Sequence, residues 1–212
     1  MHGWNAQAEF FLPLVSACVR QGLRVYAFDM PAHGQTREAN PNKPTSTLVE
    51  WVETLIAATG ALGVSQWRSV IAHSFGALAV SFAMGPRPWS GAPPLTAASL
   101  VTIAGASGMP AVIESYAAAT ASSDAEIADI VAGVEAVAGA KLSTLSIRAV
   151  AAHLPKRLLL IHDPADEIAK LSDLRAELAG LPSEELLRPG AGHDAILFQL
   201  EVGRAAAKFA AG

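Results

Sequence analysis

The chain has 212 residues, 51% of them apolar and 16% charged, and a formal net charge of −4. That length and apolar share fit one domain with a full-sized core. The scattered Lys and Arg exclude the basic stripe that nucleic acid or an anionic membrane surface requires, and the single cysteine, Cys18, excludes an internal disulfide. No apolar stretch free of Gly and Pro reaches membrane-spanning length. Met1-His2-Gly3-Trp4 lacks the charged and apolar regions of a signal peptide. The expected location is cytoplasmic.

Strand and helix patterns alternate along the chain. Residues 5–21 place Phe10, Leu14, Val15, Cys18 and Val19 at helical spacing, with Gly22 as a stop. Leu23–Asp29 is a short β-rich run, predicted as a strand. Residues 45–62 read as a helix with Leu48, Val49, Val52, Leu55 and Ile56 on one face and Gly63 beyond it. Ser69–His73 reads as a strand and Phe75–Met84 as the helix that follows. Pro86, Pro88, Gly91, Pro93 and Pro94 mark a loop. Ser99–Ala104, Arg157–His162 and Glu185–Leu187 are the later strands, and residues 195–210 a terminal helix. Apolar strands separated by helices imply a parallel sheet covered on both faces, an α/β fold.

Residues 109–153 interrupt this rhythm with three helical segments, Ala111–Thr120, Asp124–Val137 and Ser143–His153. Ser123-Asp124-Ala125-Glu126 is a helix start with acidic residues in its first turn. The segment lies between two strands, so it is expected to form a small helical lid over the carboxyl ends of the sheet, where α/β proteins place their sites. The core then comprises residues 1–108 and 154–212.

The most specific local signal is Ala72-His73-Ser74-Phe75-Gly76, between the apolar Val70-Ile71 and the helix former Ala77-Leu78-Ala79. A serine flanked by small residues at a strand-to-helix joint is the pattern of a nucleophile elbow, in which bulk two residues either side of the serine would collide with its neighbours. A serine hydroxyl is a weak nucleophile at neutral pH and needs a base, itself oriented by an acid. Two later strand ends supply candidates. His162-Asp163-Pro164-Ala165-Asp166 follows one strand, and Gly190-Ala191-Gly192-His193 follows the next. Both Asp163 and Asp166 lie on the acid loop, and Asp163 before Pro164 also suits a turn. The order Ser74, Asp, His193 is that of α/β-hydrolases rather than of chymotrypsin or subtilisin.

Together with His2-Gly3-Trp4 and Phe28-Asp29-Met30-Pro31-Ala32-His33-Gly34, these motifs span nearly the whole chain, which resembles the α/β-hydrolase fold family, serine esterase type. The resemblance implies a triad of Ser74, Asp166 and His193, the family spacing selecting Asp166 as the acid. It implies an oxyanion hole from the backbone N–H groups of Trp4 and Phe75, a small-molecule ester substrate, and no metal or organic cofactor. Serine rather than aspartate at the elbow disfavours haloalkane dehalogenase and epoxide hydrolase chemistry. Other acyl-transfer or C–C hydrolase activity on the same triad is an alternative. So is a non-catalytic, ligand-binding or truncated relative, because the family carries an apolar strand immediately before the His-Gly motif. The sequence is therefore expected to be a shortened form of a longer protein.

Remaining polar candidates carry simpler expectations. Asp29 is a turn aspartate, His2 a brace for the oxyanion loop, and His33 and His73 hydrogen-bonding neighbours. Asp194 and Glu114 are solvated, Trp51 and Trp67 fill space, and Trp4 also walls the pocket. Neither His153 nor His162 has a partner at metal-ligand spacing.

Overall fold

The computed structural model describes residues 1–212. Four parallel strands, β1 (Val70–His73), β2 (Ser99–Ile103), β3 (Arg157–His162) and β4 (Glu184–Leu187), lie side by side in that order. The register runs Ala72 to Thr102, Thr102 to Leu160 and Leu160 to Glu185. Side chains alternate between the two faces. Val101, Ile103, Leu159 and Ile161 face one core with α1 (Leu12–Arg20) and α9 (Leu200–Ala211). Leu100, Leu158 and Leu160 face the other, with α3 (Leu48–Ala61) and α4 (Phe75–Met84). Every residue of α4 is buried, which is why that helix is apolar all round rather than amphipathic.

The helix boundaries follow local chemistry. Thr47 caps α3 through a capping box with Glu50, so the helix starts at Leu48 rather than at residue 45. Ser123 and Glu126 form the same box for α6 (Asp124–Ala138). Gly22 takes φ +77 and ends the first helical region. Cys18 is buried among apolar neighbours.

Several expectations require correction. Leu23–Asp29 is extended but is no strand: residues 24–29 make no backbone–backbone hydrogen bond. A β-rich sequence forms a strand only where a neighbour completes its ladder, and none adjoins it. The third segment of 109–153 is not one helix. After α5 (Met109–Thr120) and α6 it divides into 3₁₀ turns at Leu142–Thr144 and Ala151–His153 around the short α7 (Ile147–Val150). The terminal helix is split at the extended Gln199, after a 3₁₀ turn at Ala195–Phe198. Two short helices, α2 (Gly34–Ala39) and α8 (Leu171–Glu177), add to the predicted elements. Leu171, Leu174 and Leu178 are buried and carry a helical period that would have signalled α8.

Candidate active site

The carboxyl ends of β1, β3 and the loop after β4 converge on one point. Ser74 sits at the joint of β1 and α4 with φ 51 and ψ −127, a conformation that L-residues rarely adopt. The surrounding backbone holds it there. Its N–H donates to Ile103 O (3.0 Å), and its carbonyl accepts from Ala77 (2.9 Å) and Ala106 (3.2 Å).

His193 reaches across from the loop after β4. Its Nε2 lies 2.9 Å from Ser74 Oγ and its Nδ1 2.7 Å from Asp166 Oδ2. An ionised carboxylate only accepts, so Nδ1 carries the proton and Nε2 accepts from the serine hydroxyl. The other oxygen of Asp166 accepts from the amides of Ile168 (2.9 Å) and Ala169 (3.0 Å). Burial pushes the Asp166 carboxyl up, but the His193 ring and these amides outweigh it and hold the group below the usual carboxylate range. His162 Nε2 donates to the carbonyl of Ala169 (2.6 Å), closing the same loop from behind.

Asp163 does a different job. Its carboxylate accepts from the amides of Ala165 (3.0 Å), Gly190 (3.2 Å) and Gly192 (2.8 Å). It therefore clamps the loop that carries His193 to the loop that carries Asp166, and those amides, Gly192 first, hold its carboxyl below the ordinary value. Gly190 and Gly192, at φ +76 and +75, turn their N–H groups toward it. His73 adds a second hold: its Nε2 lies 2.9 Å from the carbonyl of His193. Burial drives the His73 ring down to about 4, so it stays neutral and donates through that nitrogen. The sequence suggested His73 as a hydrogen-bonding neighbour but did not assign the Asp163 clamp. The paired glycines beyond Asp163 were the available signal.

The Met1–Trp4 segment packs against the elbow. A Cβ on Gly3 would lie 2.8 Å from Ser74 Cβ and 2.9 Å from His73 Nδ1, and one on Gly76 would overlap the carbonyl oxygen of His2. Only glycine permits either approach. His2 braces the segment: Nε2 accepts from the amide of Met30 (2.9 Å), so Nδ1 donates to the carbonyl of Gly3 (2.8 Å). Burial pushes this ring down to about 4 as well. The backbone N–H groups of Trp4 and Phe75 donate to no protein group. The Trp4 indole is 41% exposed and stands edge-on to Phe75, with ring centroids 5.2 Å apart.

The remaining predicted residues fall as follows. Asp29 accepts from the amides of Ala8 (2.7 Å) and Gln35 (2.9 Å), so it organises a turn. Trp51 is fully buried and donates from Nε1 to Ser46 Oγ (2.8 Å), while Trp67 is half-buried. Asp194 and Glu114 are exposed. Donor atoms of His73, His193 and Asp194 lie within 4.8 Å of one another. Both ring nitrogens of His193 are nevertheless already engaged by Ser74 and Asp166.

A family model described as "Alpha/beta hydrolase family" matches residues 1–211, and the chain belongs to that family. Among solved structures it is similar to the esterase Pf2001 of Pyrococcus furiosus (TM-score 0.66, 17% identity, 99% of this chain and 77% of that one). It is also similar to a hydrolase from Pseudomonas aeruginosa (0.65, 18%, 98% and 87%). A monoacylglycerol lipase of Paleococcus ferrophilus aligns over 100% of this chain and 92% of that one, with a TM-score of 0.63 and 17% identity. At these identities the likeness is one of fold. No curated protein sequence matches the chain. No helix is long and apolar enough to cross a membrane.

Proposed function

We propose that this hydrolase cleaves carboxylic ester bonds through an acyl-enzyme on Ser74. The observation that carries the reading is the unbroken chain of hydrogen bonds from Ser74 Oγ through His193 to Asp166, 2.9 and 2.7 Å long. In this reading Ser74 Oγ attacks the ester carbonyl and its proton passes to His193 Nε2. Asp166 orients the ring and stabilises the imidazolium. The free N–H groups of Trp4 and Phe75 receive the oxyanion, each worth roughly 10²–10³ in rate. His193 then protonates the departing alkoxide. Water attacks the acyl-enzyme with His193 again as base, and the acid product leaves. The reading draws on Ser74, His193 and Asp166 alone for proton transfer.

The helical segment 109–153 is the proposed lid. It follows the carboxyl end of β2, and Met109, Ile113 and Ile147 join the same apolar core as Phe75 and Trp51. Such a lid favours a small or acyl ester with an apolar acyl group. A binding-only role is the second reading, favoured by the unpaired backbone of residues 24–29 next to the oxyanion segment.

Intact-mass labelling with a fluorophosphonate probe separates the two. One adduct on the chain and none on Ser74→Ala supports the acyl-enzyme reading, and a panel of p-nitrophenyl esters then ranks acyl length. No adduct on either protein, with retained thermal unfolding, overturns it.

A further inference from the structure

A cluster of ligating side chains overlaps the proposed triad without coinciding with it. His73 ends β1, directly before Ser74, and Asp194 directly follows His193 on the loop after β4. Donor atoms of His73, His193 and Asp194 all lie within 4.8 Å of one another. The two histidines are 120 positions apart in the chain, so the fold makes this set and local sequence does not.

The spacing suits a bridging ion better than a direct ion pair. His73 Nε2 stands 3.9 Å from Asp194 Oδ1, too far for a hydrogen bond. Two ligand atoms held at about 2.0–2.2 Å by one tetrahedral ion sit about 3.4 Å apart. The Asp194 side chain is 71% exposed, so a small rotation closes the gap, whereas the His73 side chain is 1% exposed and fixed in place. The exposed carboxylate is the side from which an ion enters.

Each imidazole can give up what it now holds. His193 Nδ1 donates to Asp166 Oδ2, and Nε2 accepts from the Ser74 hydroxyl. An ion at Nε2 displaces only that neutral hydroxyl. It leaves the bond to Asp166 intact, and a carboxylate behind a ligating imidazole orients the ring and raises its basicity toward a metal. His73 donates through Nε2 to the carbonyl of His193, while its Nδ1 is buried with no partner. Moving the ring proton from Nε2 to Nδ1 frees the Nε2 lone pair, and no proton leaves the protein. The His193 carbonyl oxygen, 2.9 Å from that nitrogen, then meets the cation in place of an N–H.

The donor set selects the ion. Two imidazoles and one carboxylate are ligands that hold Zn²⁺ with a fourth position left over, whereas Mg²⁺ and Ca²⁺ take shells of oxygen. The geometry points to an inhibitory Zn²⁺ site formed by His73 Nε2, His193 Nε2 and Asp194, in which the ion competes with Ser74 for the base. With the ion in place, His193 has no lone pair for the serine proton, and Ser74 stays a weak, neutral nucleophile. The inhibition rests on the acyl-enzyme reading, and the binding does not.

The test adds Zn²⁺ alone, in a buffer that does not chelate it, to the full chain, to Asp194→Ala and to Ser74→Ala. Uptake is read by equilibrium dialysis, and coordination by the visible absorption of Co²⁺ put in its place. The full chain is expected to take up one ion with a tetrahedral Co²⁺ spectrum. Asp194→Ala should bind about 10–100-fold more weakly, and Ser74→Ala, which removes the competing hydroxyl, more tightly. Fluorophosphonate labelling of the full chain should slow at least tenfold at saturating Zn²⁺ and recover with EDTA. Asp194→Ala should label at the ordinary rate without Zn²⁺ and need about 10–100-fold more of it for the same slowing. Equal uptake by the full chain and Asp194→Ala overturns the site. Weaker uptake by Ser74→Ala overturns the competition with the serine, and labelling that quickens with Zn²⁺ overturns the inhibitory role. A chain that labels neither with nor without Zn²⁺ overturns the acyl-enzyme reading and the inhibition with it, while uptake by the three proteins still decides the site.

Discussion

On the side of Asp166 and His193, the loops leave the ends of the adjacent strands β3 and β4, and most of their polar groups are taken. Asp166 holds His193 and two amides, Asp163 holds three amides, and His162 and His73 each tie down a carbonyl. On the side of Met1–Trp4 the segment is tied to β1 by two backbone hydrogen bonds, from Met1 N to Ile71 O and from His73 N to Met1 O, and by one braced imidazole. The acid–base side is preorganised by hydrogen bonds to rigid strand ends, whereas the oxyanion side is held by close packing at Gly3 and Gly76. The difference teaches that the two parts of the proposed machinery respond to different perturbations.

The sharpest way to probe the well-held side is Asp166→Asn. It keeps the shape and removes the acceptor that fixes the His193 tautomer, so kcat on an activated ester is expected to fall by about 10⁴ while Tm changes little. A loss under tenfold would transfer the acid role elsewhere on the loop. The packed side is broken by Gly76→Ala. Its added methyl displaces the His2 carbonyl and with it the Trp4 amide, and the expected fall in kcat is roughly 10²–10³. Wild-type turnover in that variant would remove the Trp4 amide from the proposal.

Asp163→Ala sharpens the comparison because it leaves all three proposed triad residues in place. Freed from the clamp, the His193 loop should lose register, lowering kcat up to about 10²-fold and stability by about 1–3 kcal/mol. Asp163→Asn, with one acceptor oxygen, should recover part of both. Fast labelling and unchanged unfolding in the alanine variant would reduce the clamp to a bystander.

A last test is in pH, and it touches both sides at once. His2 and His73 stand at about 4 in the fold against an ordinary 6.5. Between those values the unfolded chain binds protons that the folded chain refuses, so stability falls as pH drops from 6.5 toward 4. Asp166 acts in the same direction lower down, since the stability its lowered pKa contributes is lost as pH falls through that value. Unfolding at pH 5 should take up about two protons on account of the two rings, read from the slope of Tm against pH. A flat profile from pH 7 to 4.5 would mean that both rings are solvated.

Much of this was legible in the residues. The limits of Phe75–Met84 and Arg157–His162 agree residue for residue with their sequence patterns, because long apolar runs bounded by Gly, Pro or a sharp turn carry their own punctuation. Short amphipathic pieces such as Leu171–Glu177 were less visible, since two turns of helix hold too few apolar positions to stand out. Ser74, Asp166 and His193 could be picked by order and family spacing, and the fold brings those three side chains into one hydrogen-bonded line.

The sequence by itself determined the alternation of strand and helix, the parallel sheet, the elbow and the chain order of the three polar residues, because each depends on near neighbours. Only the tertiary structure decided that Asp163, three residues before Asp166, clamps the His193 loop. It alone decided that Leu23–Asp29, β-rich by composition, stays unpaired. A carboxylate's role depends on which distant groups face it, and a strand exists only when another strand, remote in sequence, lies close enough to share its backbone hydrogen bonds.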